Sequence, residues 1–200
     1  GGFITDAVER CQHAIGAGSV RLEGYLATGE EMLHAPGRAF KSALTSINGA
    51  RTYIAAMCNG MVSEALRVAL AYGSTRHTFG KALGEHQGWR WRLAEAGTAL
   101  AAGRLLVAHA AARVESGADA QLAAAQAKLY CTRMAERQLA ALAQAMGAEG
   151  LRREHCFGRH LAGARVACFV DGSSEMLLER IAALQLDTPE ALLERVAGTL

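Results

Sequence analysis

Proline is almost absent from this chain: Pro36 and Pro189 are the only two in 200 residues. Proline lacks the amide hydrogen that a helix interior needs, and its ring clashes with the preceding turn, so the long stretch between these positions is free of the strongest helix breaker. Alanine, leucine, arginine and glutamate make up much of that stretch, with glutamine among the rest. They keep rotamer freedom in a helix and do not compete for its backbone hydrogen bonds, so long helices are predicted.

Periodicity locates these helices. Ile54, Cys58, Met61, Ala65, Val68 and Tyr72 alternate in steps of four and three, which makes one face of a helix over about Asn48–Ser74. The same alternation runs through Leu93, Ala96, Leu100, Gly103, Val107, Ala110 and Val114, and Ser116-Gly117 supplies a left-handed stop. Trp89 and Trp91 fall on opposite sides of this second helix, so at most one joins the core and the other reads as an interface anchor. A third helix over about Ala118–Met146 carries Ala124, Ala127, Cys131 and Met134, and Gly147 and Gly150 close it. The stretch Arg152–Arg165 reads as a short connection, and a fourth helix begins near Ser173 and runs through Met176, Leu177, Ile181 and Leu184. Thr188-Pro189-Glu190 reads as the cap and first turn of a last short helix. Ser19–Ala27 alternates between glycines and reads as a strand with no sheet to join. Helices of this length, each with one apolar stripe and short connections, pack best as an up-and-down bundle. The expected fold is therefore mainly α, an up-and-down four-helix bundle with a short β segment near the amino terminus.

The 21 basic and 19 acidic residues are interspersed, so no basic face points to nucleic acid or an anionic membrane. Cys11, Cys58, Cys131, Cys156 and Cys168 are scattered, odd in number and without a CxxC pair, which argues against a disulfide framework or structural zinc and for a reducing, cytoplasmic location. No leader is evident, nor an uninterrupted apolar run near the roughly 20 residues of a membrane span. His155, Cys156 and His160 lack a fourth ligand and are not read as a metal site. A chain that opens on Gly1-Gly2 in place of methionine reads as a piece of a longer one.

Three clusters stand out. In Tyr72-xxx-Arg76-xx-Phe79-Gly80-xx-Leu83-xxx-Gln87, Gly80 makes a turn, Phe79 an aromatic plug, and Arg76 could hold a phosphate through two hydrogen bonds or pair with a helix-end carbonyl. In Gln144-Ala-Met-Gly147-Ala148-Glu149-Gly150, the glycines either admit a ligand close to the backbone or simply cap the helix. In Asp171-Gly172-Ser173-Ser174-Glu175, an acidic side chain precedes a helix start, where it is either an electrostatic cap or a base.

In this order the three clusters resemble the carboxyl-terminal domain of the acyl-CoA dehydrogenases, and the resemblance covers nearly the whole chain. It implies that residues 1–46 are a remnant of the family's middle β domain and its connection, matched at Val20-Arg-Leu-Glu-Gly24 and Gly37-Arg-Ala-Phe40, and that residues 47–200 are the helical bundle. It also implies that Arg76, Phe79, Gln87, Gln144, Gly147 and Ala148 contact FAD, largely that of a neighbouring subunit, and that Ser173 and Glu175 lie on the flavin side of the third cluster. Arg51 and Gly172 are then placed near the substrate, an acyl-CoA thioester. A flavin enclosed by two chains implies a homodimer or homotetramer, and the electrons pass to an electron-transfer partner or to oxygen.

In the family's reaction a carboxylate removes the proton alpha to the thioester while the beta hydrogen leaves as hydride. The usual base is a glutamate directly before the Gly-Thr of the third cluster, and Asp171 stands there. Aspartate is one methylene shorter, and a proton-transfer contact has to close to about 2.6–3.2 Å. Relatives that carry the base at the start of the first long helix do not offer an alternative, because Asn48-Gly49-Ala50 before Arg51 holds no carboxylate. Ala148 replaces a common glycine, and Ala162-Gly163 a frequent Arg-Asp pair. An aspartate base also resembles the nitroalkane oxidases, and a non-catalytic helical oligomerisation module is the further alternative. Lys128 reads as a salt-bridge partner.

Overall fold

Helix-forming composition without breakers gives five α-helices in the computed structural model, which describes residues 2–5, 9–11, 15–17 and 20–186. They are α1 (Ala39–Thr75), α2 (Gln87–Glu115), α3 (Gln121–Met146), α4 (Phe157–Ala167) and α5 (Ser174–Leu186). The first helix starts earlier than its apolar stripe does. Gly37, at φ 82°, turns the chain after Pro36, and no breaker then delays the helix beyond Ala39. The predicted helix at Thr188-Pro189-Glu190 lies outside the described residues.

The apolar stripes face one another as their spacing requires. Cys58, Val62, Ala65 and Ala69 of α1, Ala96 and Leu100 of α2, and Ala127, Cys131, Leu139 and Leu142 of α3 form the buried seam. By length and mean hydropathy (1.3) the stretch Ser46–Thr75 would also suit a membrane span. A search for an uninterrupted apolar run passes over it because Asn59, Glu64 and Arg67 punctuate it. Here its stripe is buried in the bundle.

Direction follows from cross-contacts. Trp89 at the start of α2 meets Gly73 and Ala145 near the ends of α1 and α3, while Gly103 further along α2 meets Asn59 and Cys131. Helix α2 therefore runs antiparallel to α1 and α3. Along α4 and α5, Arg165 bonds Glu136, Gly172 bonds Lys128 and Arg180 bonds Gln121, so both descend along α3. The fourth arm of the bundle is thus two helices in series.

That arrangement corrects the reading of Arg152–Arg165 as a connection. Most of it is helix, with Phe157, Ala164 and Cys168 buried and Leu161 packed against the core. The spacing Phe157, Leu161, Ala164, Cys168 carries the helical alternation, but Gly158, Gly163 and four arginines obscure it.

The amino-terminal strand also has a partner, contrary to expectation. Strand β1 (Gly2–Thr5) pairs antiparallel with β4 (Val20–Glu23), Phe3 opposite Leu22, and β2 (Glu9–Cys11) pairs with β3 (Ile15–Ala17). The three-residue strands β2 and β3 are too short to show a period of two in sequence. Gly24, at φ 58°, ends β4 four residues after Val20.

Small residues let the arms approach closely. A Cβ added at Gly73 would lie 2.2 Å from the Trp89 ring, whose Nε1–H donates to the Ala145 carbonyl at 2.9 Å. Gly73→Ala is expected to cost about 1–3 kcal/mol by overpacking. A lowered thermal midpoint together with changed tryptophan fluorescence would report it. An unchanged midpoint would show that the ring moves freely. Trp91 is 60 % exposed, so the two tryptophans divide as their spacing predicts.

Candidate functional site

The break in the fourth arm makes the first site. Helix α4 ends at Ala167 and α5 begins at Ser174, and between them Asp171 (φ 53°) and Gly172 (φ 104°) take left-handed backbone. Aspartate is among the few residues with a Cβ that visit this region regularly. Gly172 is constrained twice, since a Cβ there would also sit 3.2 Å from an Arg51 guanidinium nitrogen.

Two successive carbonyls freed by the break each accept a hydrogen bond from a cation. Arg51 Nε–H donates to the Asp171 carbonyl at 3.0 Å, and Lys128 Nζ–H donates to the Gly172 carbonyl at 2.6 Å. Lys128 is fully buried, the one charged side chain so placed among the described residues. Burial pushes its ammonium below the usual lysine range, Arg51 pushes the same way, and the Asp171 carboxylate opposes both. Arg51 is likewise lowered by burial and raised by Asp171. The half-buried Asp171 carboxylate thus lies within electrostatic reach of two cations.

Ser173 caps α5: its hydroxyl accepts from the Met176 amide at 3.4 Å, satisfying one donor of the first turn. Glu175 is exposed in that turn, and a backbone N–H and the Ser173 hydroxyl hold its carboxyl below the usual range. The structure therefore brings Arg51, Asp171, Gly172, Ser173 and Glu175 to one place.

A second site lies at the far ends of α1 and α3. Tyr72, Arg76, Thr78 and Leu83 face Gln144 to Glu149 across a cavity of about 440 Å³. Gly147, at φ 62°, has open space where a Cβ would stand, so a ligand can approach its backbone. Arg76, Gln144, Gly147 and Ala148 share this cavity, whereas Phe79 and Gln87 are not part of its wall. Phe79 (φ 49°) is 98 % exposed at the tip of the hairpin β5 (His77–Thr78) and β6 (Lys81–Ala82), and Gln87 is the exposed first residue of α2. His155 bonds Glu149 at 3.1 Å beside this site. Lys128 and Gln144 are separated by about 24 Å along α3 at 1.5 Å per residue. The predicted flavin contacts therefore divide between two ends of the bundle.

Lys128 is the site residue that the sequence reading misplaced. It donates to a carbonyl where a carboxylate was expected. The readable signal was its position: four residues after Ala124 and three before Cys131, a lysine on an otherwise apolar stripe.

A sequence profile described as "Acyl-CoA dehydrogenase, C-terminal domain" matches residues 37–186. The 3-sulfinopropanoyl-CoA desulfinase of Variovorax paradoxus is 33% identical over 145 residues, covering 72% of this chain and 36% of that protein. The short-chain-specific acyl-CoA dehydrogenase of Megasphaera elsdenii is 32% identical over 149 residues, covering 74% and 39%. Butyryl-CoA dehydrogenase from Megasphaera elsdenii superposes with a TM-score of 0.89 at 28% identity, over 92% of this chain and 49% of that one. The chain thus spans less than half the length of these proteins.

Proposed function

The chain belongs to the acyl-CoA dehydrogenase family, as its carboxyl-terminal domain, and on that premise we propose that the whole protein is an FAD-dependent desaturase of acyl-CoA thioesters. The observation that carries this reading is the break in the fourth arm, which presents Asp171 at a helix start with Arg51 and Lys128 behind it. Asp171 takes the proton alpha to the thioester, and bound FAD supplies the hydride acceptor. Ser173 and the first turn of α5 give that end of the bundle a fixed set of amide donors.

The second site suits the phosphate-bearing part of the cofactor. Arg76 offers a guanidinium fork to a diphosphate, and Gly147 leaves its backbone open to close approach. Phe79 and Gln87 extend this surface outward, toward a neighbour. Because the two sites are about 24 Å apart on one chain, we assign them to different flavins, one shared with a second subunit in a homodimer or homotetramer. The exposed Val20, Leu22 and Leu26 would be covered by the rest of the β domain. Buried free thiols at Cys58, Cys131, Cys156 and Cys168 accord with a cytoplasmic location.

Anaerobic titration of the full-length, FAD-loaded protein with a series of acyl-CoA thioesters tests the reading. Bleaching of the flavin's visible absorbance is expected with at least one of them. Retained FAD with no bleaching by any of the series would favour an assembly role or a flavin oxidase of other substrates, such as a nitroalkane oxidase-like enzyme. Peroxide release in air would identify oxygen as the acceptor, and its absence an electron-transfer partner.

A further inference from the structure

A lysine with no exposed surface demands a reason beyond packing. Elsewhere on this stripe α3 uses Ala124, Cys131 and Ala135, and an apolar side chain of lysine's length would fill the same space without an ammonium to desolvate. What Lys128 adds is a charged donor at the one point where the fourth arm is broken. The two carbonyls of the break, consecutive in sequence, are held from different helices, Asp171 by Arg51 of α1 and Gly172 by Lys128 of α3. Gly172 (φ 104°) lies between the two clamped carbonyls, and Asp171, directly before the first of them, keeps a left-handed backbone that few residues with a Cβ other than asparagine and aspartate adopt. Released from either clamp, the backbone can relax, and its Cβ, with the carboxylate, changes direction.

We propose that Lys128 is a positioning residue for proton abstraction: its buried ammonium, bonded to the Gly172 carbonyl, aims the Asp171 carboxylate at the substrate carbon. This rests on Asp171 being the base. An aspartate has one methylene fewer than the family's glutamate with which to make up for drift, so its backbone has to be held more firmly. Misplacement by about 1 Å costs on the order of 100-fold in rate.

The test uses the full-length holoenzyme in single-turnover flavin reduction by acyl-CoA, with normal and alpha-deuterated substrate. Lys128→Met is expected to lower the rate constant about 100-fold. The alpha-deuterium isotope effect should rise, because proton transfer then limits the step, while substrate affinity stays near that of the wild type. Each molecule that bleaches must be folded and loaded, so a purely structural role would reduce the amplitude and leave the rate constant and isotope effect alone. That outcome, or wild-type kinetics, overturns the proposal. If Lys128→Met does not accumulate, Lys128→Gln, which keeps a shorter N–H donor, is read by the same two quantities. Asp171→Asn separates the two ideas. A fast Asp171→Asn enzyme removes the base reading itself, whereas a slow one beside a fast Lys128→Met enzyme removes only the role of Lys128.

Discussion

Asp171→Asn in the full-length enzyme is expected to slow flavin reduction by roughly 10²–10⁴-fold, the usual contribution of a positioned general base. Asparagine is the right replacement because it shares aspartate's tolerance of left-handed backbone, and Asp171 sits at φ 53°. The substitution therefore removes the charge without straining the backbone of the turn, and any fall in the thermal midpoint reports the lost attraction to Arg51 and Lys128. Alanine would add strain and blur the result. Asp171→Glu keeps the charge but carries it one methylene further, so its rate should fall between those of the wild type and Asp171→Asn. Stopped-flow bleaching measures all three. An Asp171→Asn enzyme as fast as the wild type would place the base outside this domain.

Phe157→Ala carries the largest expected loss of stability, about 3–5 kcal/mol. Phe157 is 1 % exposed at the start of α4 and packs into the core with Cys156 and Leu161. Truncation removes its transfer free energy and leaves a cavity under the upper half of the fourth arm. For a domain of this size each kcal/mol shifts the thermal midpoint by about 2–4 °C, so the fall should be roughly 6–20 °C. Leu105→Ala is the control, since Leu105 is 73 % exposed on α2 and should change stability by about 0.5 kcal/mol at most. Thermal or urea unfolding of both variants decides the matter. A Phe157→Ala midpoint equal to that of the control would mean that α4 is not a structural arm of the bundle.

Much of the bundle was legible because local physics writes it into the chain. The spacing of Ile54, Cys58, Met61 and Ala65 allows only one face of a helix to be buried, and the opposed settings of Trp89 and Trp91 send one ring inward and the other out. The stop at Gly117, at φ 71°, needed nothing beyond its missing Cβ. Asp171, Ser173 and Glu175 could be grouped in advance for the same reason, since they share one helix start.

What spacing could not express were relations between arms. Phe157 to Ala167 form a helix because a groove on α3 and α1 buries their apolar side, although glycines and arginines dilute the local signal. Lys128 is tolerable in the core only because a carbonyl 44 residues later faces it across the break. Arg51 reaches the same turn from 120 residues away. The distribution of the expected flavin contacts between two ends of α3 is likewise a matter of where helices cross. The near-absence of proline and the apolar period determined that this chain is a bundle of long helices, since backbone hydrogen bonding and side-chain periodicity are local. Tertiary packing alone decided that α4 and α5 together make the fourth arm and that two cations close the gap at Asp171, because desolvation and long-range hydrogen bonding exist only once the arms have met.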